Sequence, residues 1–415
     1  MAMDTLEATY QGDITPDGIQ PFRVDPRDKV SPRAVELLER ASHVVVTEGS
    51  DAQGMIIRSE TKLKKPGDFE RFPDLAYVAR AGVGVDNIDM PLAAQNGVAT
   101  VNTPGASTDA VALRSMTLMQ AWAARLYQAT NALRGQEWPR GRKDLEPIDL
   151  TERTLGVVGG QGRIGRRIRE RAADIFGKVL WNDIRTDEEG GVDLDTLLRE
   201  SHVVTIAASG KQEILTAERL KMLREGALVV NTARGTNVDT KALLEAMDAR
   251  GIHAALDVYP DEGADMFTKN PHLRDLVAHP NFIGTAHSAV SDPVTQRKLG
   301  EEAAQRVVEF AQDGTINPAG LPGHTLPRIS LANNHVPGVR AVLVHPSVPG
   351  TIERITHPIA QRGVNINGFA NGEGPTKLAA TLVHMEGVDP DQALAIMREI
   401  ERNVDILKRR LLAFA

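Results

Sequence analysis

The 415-residue chain contains no cysteine, which removes disulfides, thiolate metal sites and a catalytic thiol together. Catalysis then falls to other side chains or to a cofactor, and no metal site is expected. No apolar run approaches the roughly 18 residues that a membrane-crossing helix needs. The opening MAMDTLEATYQGDITPDG has neither a basic n-region nor an apolar h-region, so a cytoplasmic, soluble protein is expected. Basic blocks are missing too: 48 Lys and Arg against 55 Asp and Glu leave a net charge of −7. Their scatter gives no electrostatic footprint for nucleic acid. No low-complexity segment or repeated fold unit interrupts the chain. With 41% apolar and 25% charged residues the composition is globular rather than disordered, and the length predicts about three domains.

From Ala41 to about Val101, short apolar runs (SHVVVTE, GMIIRS, LAYVARAGVG, VATVNTP) alternate with helical stretches such as MPLAAQNG. That is the rhythm of a parallel sheet with crossover helices. Thr108 to Arg134, uninterrupted by Pro or Gly, reads as one long domain-crossing helix. The alternation resumes with TLGVVGG, KVLWNDI, HVVTIAA, GALVVNTA and IHAALDV, a second doubly wound unit. A helix over Pro293 to Asp313 precedes the linker NPAGLPGHTLPRI. After Pro337 the pattern is βαββαβ, a small ferredoxin-like module. Its second helix starts at an Asp389 N-cap with Pro390 and Gln392 completing a capping box, and Pro358 is expected to bend the first. The predicted fold class is α/β, two doubly wound parallel-sheet domains plus the βαββαβ module.

After the strand LGVV, Gly160, Gly162 and Gly165 spell G-x-G-x-x-G and open a helix. The first glycine suits a tight turn, the second a close approach of backbone to a pyrophosphate, the third close helix–strand packing. Free N–H groups and the helix dipole attract phosphates there. The next strand ends in Asp183, placed to accept from the adenosine ribose hydroxyls and to repel a 2′-phosphate, which favours NAD over NADP; Arg185 counts slightly against this. Gly159, an additional glycine ahead of the fingerprint, is expected to shift the turn.

Three later segments put ionisable groups after predicted strands: VVNTARG with Arg234, LDVYPDEG with Glu262 and GTAHSAVSD with His287. A nicotinamide carries hydride, so the protein must supply a proton acceptor, a charge for the substrate, and orientation. His287 suits the proton, Glu262 the far ring nitrogen, and Arg234 a substrate carboxylate.

With these residues the sequence resembles the D-2-hydroxyacid dehydrogenase family, through GMIIRSETK at 54 to 62, RAGVGVDNID at 80 to 89, NTPGAS at 102 to 107, the fingerprint, VVNTARG, DVYPDE and AHSA. Within it, the chain is most similar to the short-form D-3-phosphoglycerate dehydrogenase branch carrying a C-terminal ACT domain. The resemblance implies a flavodoxin-like substrate domain over 1–106 and 293–332, an inserted Rossmann-type NAD domain over 107–292, and an ACT regulatory domain over 337–415. It implies substrate anion sites at Arg58, Ser59 and Arg80, backbone donors at Val83 and Gly84, and Arg140 reaching a neighbouring subunit's site. NAD contacts are implied at Arg163, Ile164, Ala233 and Asp257, beside Gly160, Gly162, Gly165 and Asp183. HPSVPG and RGVNI imply an L-serine effector site at His345, Ser347 and Asn365, with Ser347 replacing the Asn of serine-inhibited relatives. A homotetramer paired through its ACT domains is implied as well.

The activity so implied is NAD-dependent oxidation of D-3-phosphoglycerate to 3-phosphohydroxypyruvate, with no nucleic-acid or membrane partner. Two alternatives remain open: a dehydrogenase of another D-2-hydroxy acid, and an NAD- and amino-acid-sensing regulator with vestigial catalysis. Several positions depart from the family pattern. Leu113 and Arg114 stand where many relatives have Glu and an aliphatic residue, Ala286 replaces a usual Pro before His287, and Ser288 follows it.

Overall fold

Runs such as GMII at 54–57 and LVVN at 228–231 have no polar alternation, so both of their faces must be covered; a parallel sheet between helix layers does this. In a computed structural model, which describes residues 10–15, 18–138, 142–185, 190–210, 212–318, 326–332 and 336–414, all four residues of each run are buried. The chain divides into two units, Thr108–Asp292 and a second made of Met1–Ser107 with Pro293–Ala415.

The second unit opens with an antiparallel hairpin, β1 (Tyr10–Thr15) and β2 (Gly18–Gln20). Next come β3 (Phe22–Pro26), β4 (Val44–Val46), β5 (Gly54–Ile57), β6 (Tyr77–Arg80) and β7 (Ala99–Asn102), a parallel sheet in the order β4-β3-β5-β6-β7. This is the flavodoxin-type order, with its switch point between β3 and β5. Helix Pro32–Arg40, capped by the Ser31 hydroxyl, and helix Pro293–Asp313 belong to the same unit. Phe310 of the latter stacks on Tyr77 with ring centroids 4.3 Å apart.

Unit Thr108–Asp292 holds β8 (Thr154–Val158), β9 (Lys178–Asn182), β10 (Val203–Ile206), β11 (Leu228–Asn231), β12 (His253–Leu256) and β13 (Phe282–Gly284). They are all parallel, in the order β9-β8-β10-β11-β12-β13. The direction of winding reverses between β8 and β10, which opens a ligand crevice beyond their carboxyl ends. The single helix expected over Thr108 to Arg134 is two, Thr108–Ala123 and Leu126–Arg134. Neither Pro nor Gly marks the break. Arg125 adopts left-handed backbone at φ 52°, its guanidinium lies over the Trp122 ring, and the Ala123 carbonyl accepts from Ile148 instead of continuing the helix.

The C-terminal module is β14 (Gly338–Pro346), helix Thr351–Ala360, β15 (Ile366–Glu373), β16 (Leu378–Glu386), helix Pro390–Asn403 and β17 (Lys408–Phe414). Its antiparallel order is β15-β16-β14-β17, and Asp389 with Gln392 forms the expected capping box. Pro358 lies in the last turn of its helix, where its missing N–H leaves the Arg354 carbonyl without its helical partner.

One expected boundary is corrected. Residues 10–20, assigned from sequence to the substrate domain, extend the C-terminal sheet, since β1 pairs antiparallel with β17. The pairing is anchored by a buried ion pair: the Arg410 guanidinium donates from Nε and Nη2 to the two Asp13 carboxylate oxygens, at 3.0 and 2.5 Å. It also donates to the Phe310 and Ala311 carbonyls at the end of helix Pro293–Asp313. One side chain thus joins the module, the N-terminal hairpin and that helix.

Asp13 and Arg410 side chains are 6% and 4% exposed, so removing the carboxylate strands a buried cation. Asp13→Ala is expected to lower the unfolding free energy by about 3–5 kcal/mol, read from urea denaturation; a loss below about 1 kcal/mol, the range of surface pairs, would show that the pair does not anchor the sheet.

Candidate functional site

The described cofactor and catalytic candidates of unit Thr108–Asp292 sit beyond the carboxyl ends of strands, the edge where open parallel sheets bind ligands. Behind β8, Gly159 takes φ 83°, and a Cβ there would meet the Ala208 backbone nitrogen at 2.6 Å. The additional glycine is therefore part of the turn. A Cβ at Gly165 would come within 2.2 Å of the Gly159 carbonyl, so the helix–strand packing demands glycine there. Gly162 is the N-cap of helix Arg163–Ala172 and supplies no side-chain cap, leaving the first-turn N–H groups of Arg163 and Ile164 available to an anion. Asp183, just past β9, accepts from the Gln161 N–H at 2.9 Å and pairs with Arg185 at 3.3 Å. Burial pushes its carboxyl up, but Arg185 and the Gln161 N–H outweigh this and hold it below the ordinary range. A glycine cradle, uncapped helix N–H groups and an ionised Asp fit a dinucleotide without a 2′-phosphate.

Beyond β11, β12 and β13 the structure brings Arg234, Glu262 and His287 together. His287 Nδ1 lies 2.6 Å from Glu262 Oε2, and Glu262 Oε1 accepts from the Tyr259 N–H at 2.9 Å. Gly235, beside Arg234, packs so tightly that a Cβ would lie 1.9 Å from the Tyr259 carbonyl carbon, which locks the Arg234 loop to the Glu262 loop. The hydrogen bond to Glu262 raises the His287 pKa above its ordinary 6.5, against burial and the Arg234 charge. Burial pushes Glu262 up, yet His287, the Tyr259 N–H and Arg234 together hold it below its ordinary 4.5. His287 carries left-handed backbone at φ 47°, a costly conformation for a residue with a Cβ.

Asp257 holds that loop. It is 1% exposed; its carbonyl accepts from the His287 N–H at 2.7 Å, and its carboxylate accepts from the Thr285 hydroxyl and the Ser288 and Ala289 N–H groups. The residue expected to touch the cofactor thus commits its carboxylate to the His287 loop. Ala233 is half-buried in the turn after β11, its N–H on the Asn231 side chain.

In the other unit, Arg80 ends β6 in register with Ile57 of β5, so Arg58 and Arg80 are neighbours at one sheet edge. Asp28, also at left-handed φ 56°, accepts from the Arg58 and Thr61 N–H groups at 2.7 and 2.9 Å. The Asn87 amide ties down the Arg58 and Thr61 carbonyls. Ser59 is exposed beside them. Gly82 packs against the Arg80 guanidinium and donates to Thr103. Among the described residues nothing accepts from the N–H groups of Val83 and Gly84. Arg140 lies outside the described residues.

The expected effector trio is not one cluster within the chain. His345 is buried, its Nε2 on the Thr381 hydroxyl; burial lowers its pKa. Ser347 bonds Glu373 and Lys377 near Leu378, whereas Asn365 bonds Glu386. Leu378 and Glu386 bound β16, whose nine residues span roughly 27 Å. The antiparallel path of β15 carries Asn365 to the far end.

Sequence reasoning missed Asp28 and the loop-holding role of Asp257. An Asp just past a predicted strand, before a turn, was the only signal available.

A family model described as "D-isomer specific 2-hydroxyacid dehydrogenase, NAD binding domain" matches residues 116–289. The chain is 31% identical over 328 residues to the D-3-phosphoglycerate dehydrogenase of Methanocaldococcus jannaschii, covering 73% of this chain and 60% of that protein. It is 30% identical over 308 residues to the hydroxypyruvate reductase of Thermotoga maritima, covering 69% of this chain and 97% of that protein. The NAD+-bound 3-phosphoglycerate dehydrogenase of Entamoeba histolytica shares the fold at a TM-score of 0.58 and 24% identity, over 72% of this chain and 97% of that one. Among the described residues no helix is long and apolar enough to cross a membrane.

The His287–Glu262 contact has a definite pH signature. Its contribution from His287 is complete below pH 6.5 and is lost as pH rises through the raised folded value; its contribution from Glu262 is present above pH 4.5 and lost as pH falls through the lowered one. An NMR titration should place His287 above 6.5 in the wild type and clearly lower in Glu262→Gln, where burial and Arg234 still lower it against the remaining Asp257 charge. An unchanged titration would show that Glu262 does not set the imidazole's basicity.

Proposed function

The chain belongs to the D-isomer specific 2-hydroxyacid dehydrogenase family, and from that premise we propose that it oxidises D-3-phosphoglycerate to 3-phosphohydroxypyruvate with NAD, the first step of L-serine biosynthesis. The observation that carries the phosphorylated substrate is the adjacency of Arg58 and Arg80 across β5 and β6, beside the available N–H groups of Val83 and Gly84. Two arginines at neighbouring strand ends, with backbone donors beside them, suit a small multiply charged anion.

The residues divide the chemistry. Arg234 grips the substrate carboxylate with its planar fork and polarises the neighbouring oxygen. His287, through the Nε2 that Glu262 leaves open, takes the hydroxyl proton in oxidation and returns it in reduction. Glu262 holds Nδ1–H, fixes the tautomer and stabilises the imidazolium. NAD, when bound, supplies the hydride acceptor. The first-turn N–H groups of Arg163 and Ile164 hold its pyrophosphate and Asp183 its ribose hydroxyls.

The proposal extends to a cytoplasmic homotetramer whose C-terminal modules are ACT domains that pair across subunits. L-Serine would then bind between His345 and Ser347 of one copy and Asn365 of another. The separation of these residues along β16 within one chain supports a two-copy site.

The test is the initial rate of NADH oxidation by purified protein with 3-phosphohydroxypyruvate, glyoxylate and hydroxypyruvate, each with and without L-serine. The phosphorylated substrate should give the highest kcat/KM, and serine should lower the rate. A preference for either unphosphorylated acid would refute the phosphoglycerate assignment, and indifference to serine would refute the effector site.

A further inference from the structure

Helix Thr108–Ala123 carries a cation to the site that the chemistry above does not use. The Arg114 Nη2 donates to the Ser288 carbonyl at 3.4 Å and to the Ser288 hydroxyl at 3.3 Å, on the residue that follows His287. One position on, the buried Ser115 hydroxyl is 2.8 Å from that of Thr232, in the turn that delivers Arg234. Two successive helix residues therefore touch the two loops bearing the proton-transfer and carboxylate-binding groups.

Arg114 is half-buried, yet among the described residues no carboxylate comes within 4.0 Å of it. Its neighbours differ: Arg167 and Arg171 both pair with Asp109 from the same helix. A guanidinium has five donors, and among the described residues the hydrogen bonds of Arg114 are two long ones from a single nitrogen. Holding a loop carbonyl does not require a charge. A partly desolvated cation without a counter-ion is unfavourable unless an anion arrives to meet it.

We propose that Arg114 binds a second anionic group of the substrate, carboxylate or phosphate, at the end remote from the carboxylate held by Arg234, and so selects 2-oxo and 2-hydroxy acids of higher charge. This rests on the reading above only in taking His287 as the proton-transfer group. Any member of the substrate class with a second anion fits, phosphorylated or not.

The experiment compares wild type, Arg114→Gln and Arg114→Lys in NADH-dependent reduction of glyoxylate, which has no second anion, and of oxaloacetate and 3-phosphohydroxypyruvate, which do. In Arg114→Gln the ratio of kcat/KM for either charged substrate over glyoxylate should fall about 10- to 100-fold, the range of a lost charge-assisted hydrogen bond, chiefly through KM. Arg114→Lys, which keeps the charge and serves if the glutamine variant does not fold, should retain a ratio at least threefold above that variant, or within about tenfold of wild type if it stands alone. An unchanged ratio in Arg114→Gln, whether all rates fall together or none does, overturns the proposal and leaves Arg114 as a support for Ser288. Wild-type enzyme that reduces oxaloacetate but not 3-phosphohydroxypyruvate would refute the phosphoglycerate reading, while a lowered oxaloacetate ratio in the variant would still sustain Arg114.

Discussion

The buried Asp257 carboxylate is the constraint on which the candidate site depends. His287 holds left-handed backbone while its ring meets Glu262, and such backbone persists only where the surroundings over-determine it. Asp257 does so from several atoms: its carbonyl takes the His287 N–H, and its carboxylate takes Thr285, Ser288 and Ala289. Its own N–H continues the β11–β12 ladder through the Asn231 carbonyl. The loop is thereby hung from the sheet, as a preorganised site requires.

Each unit presents its chemistry at the carboxyl edge of a parallel sheet. In one, the glycine cradle, Asp183 and the Arg234–Glu262–His287 group follow five of its six strands; in the other, Arg58 and Arg80 lie at the ends of adjacent ones. The proposed substrate reading rests on charge: arginines at neighbouring strand ends suit an anion, best when they bind it bidentately.

Much of this was legible because parallel strands buried on both faces read as unbroken apolar runs, and because glycines at 160, 162 and 165 fall between a strand and a helix. The residues grouped as Arg234, Glu262 and His287 could be anticipated since each follows such a run closely. The hairpin at 10–20 could not. Its segments YQGDIT and GIQ have little apolar content, and its partner β17 lies at the other end of the chain, so no local period announces the pairing. The break at Arg125 was hidden for a related reason: it is set by packing on Trp122 and Ile148, with no helix-breaking residue to mark it. Asp257 was read as a cofactor contact, since sequence order reveals that it follows a strand but not where its carboxylate turns.

The most direct measurement is the single-turnover rate of hydride transfer in Asp257→Ala beside its NADH dissociation constant. If Asp257 acts by holding His287 in place, the rate should fall about 100-fold, as misplacing a reacting group by an ångström does, with NADH affinity nearly unchanged. A wild-type rate, or a loss of NADH affinity matching the loss of rate, would contradict the account.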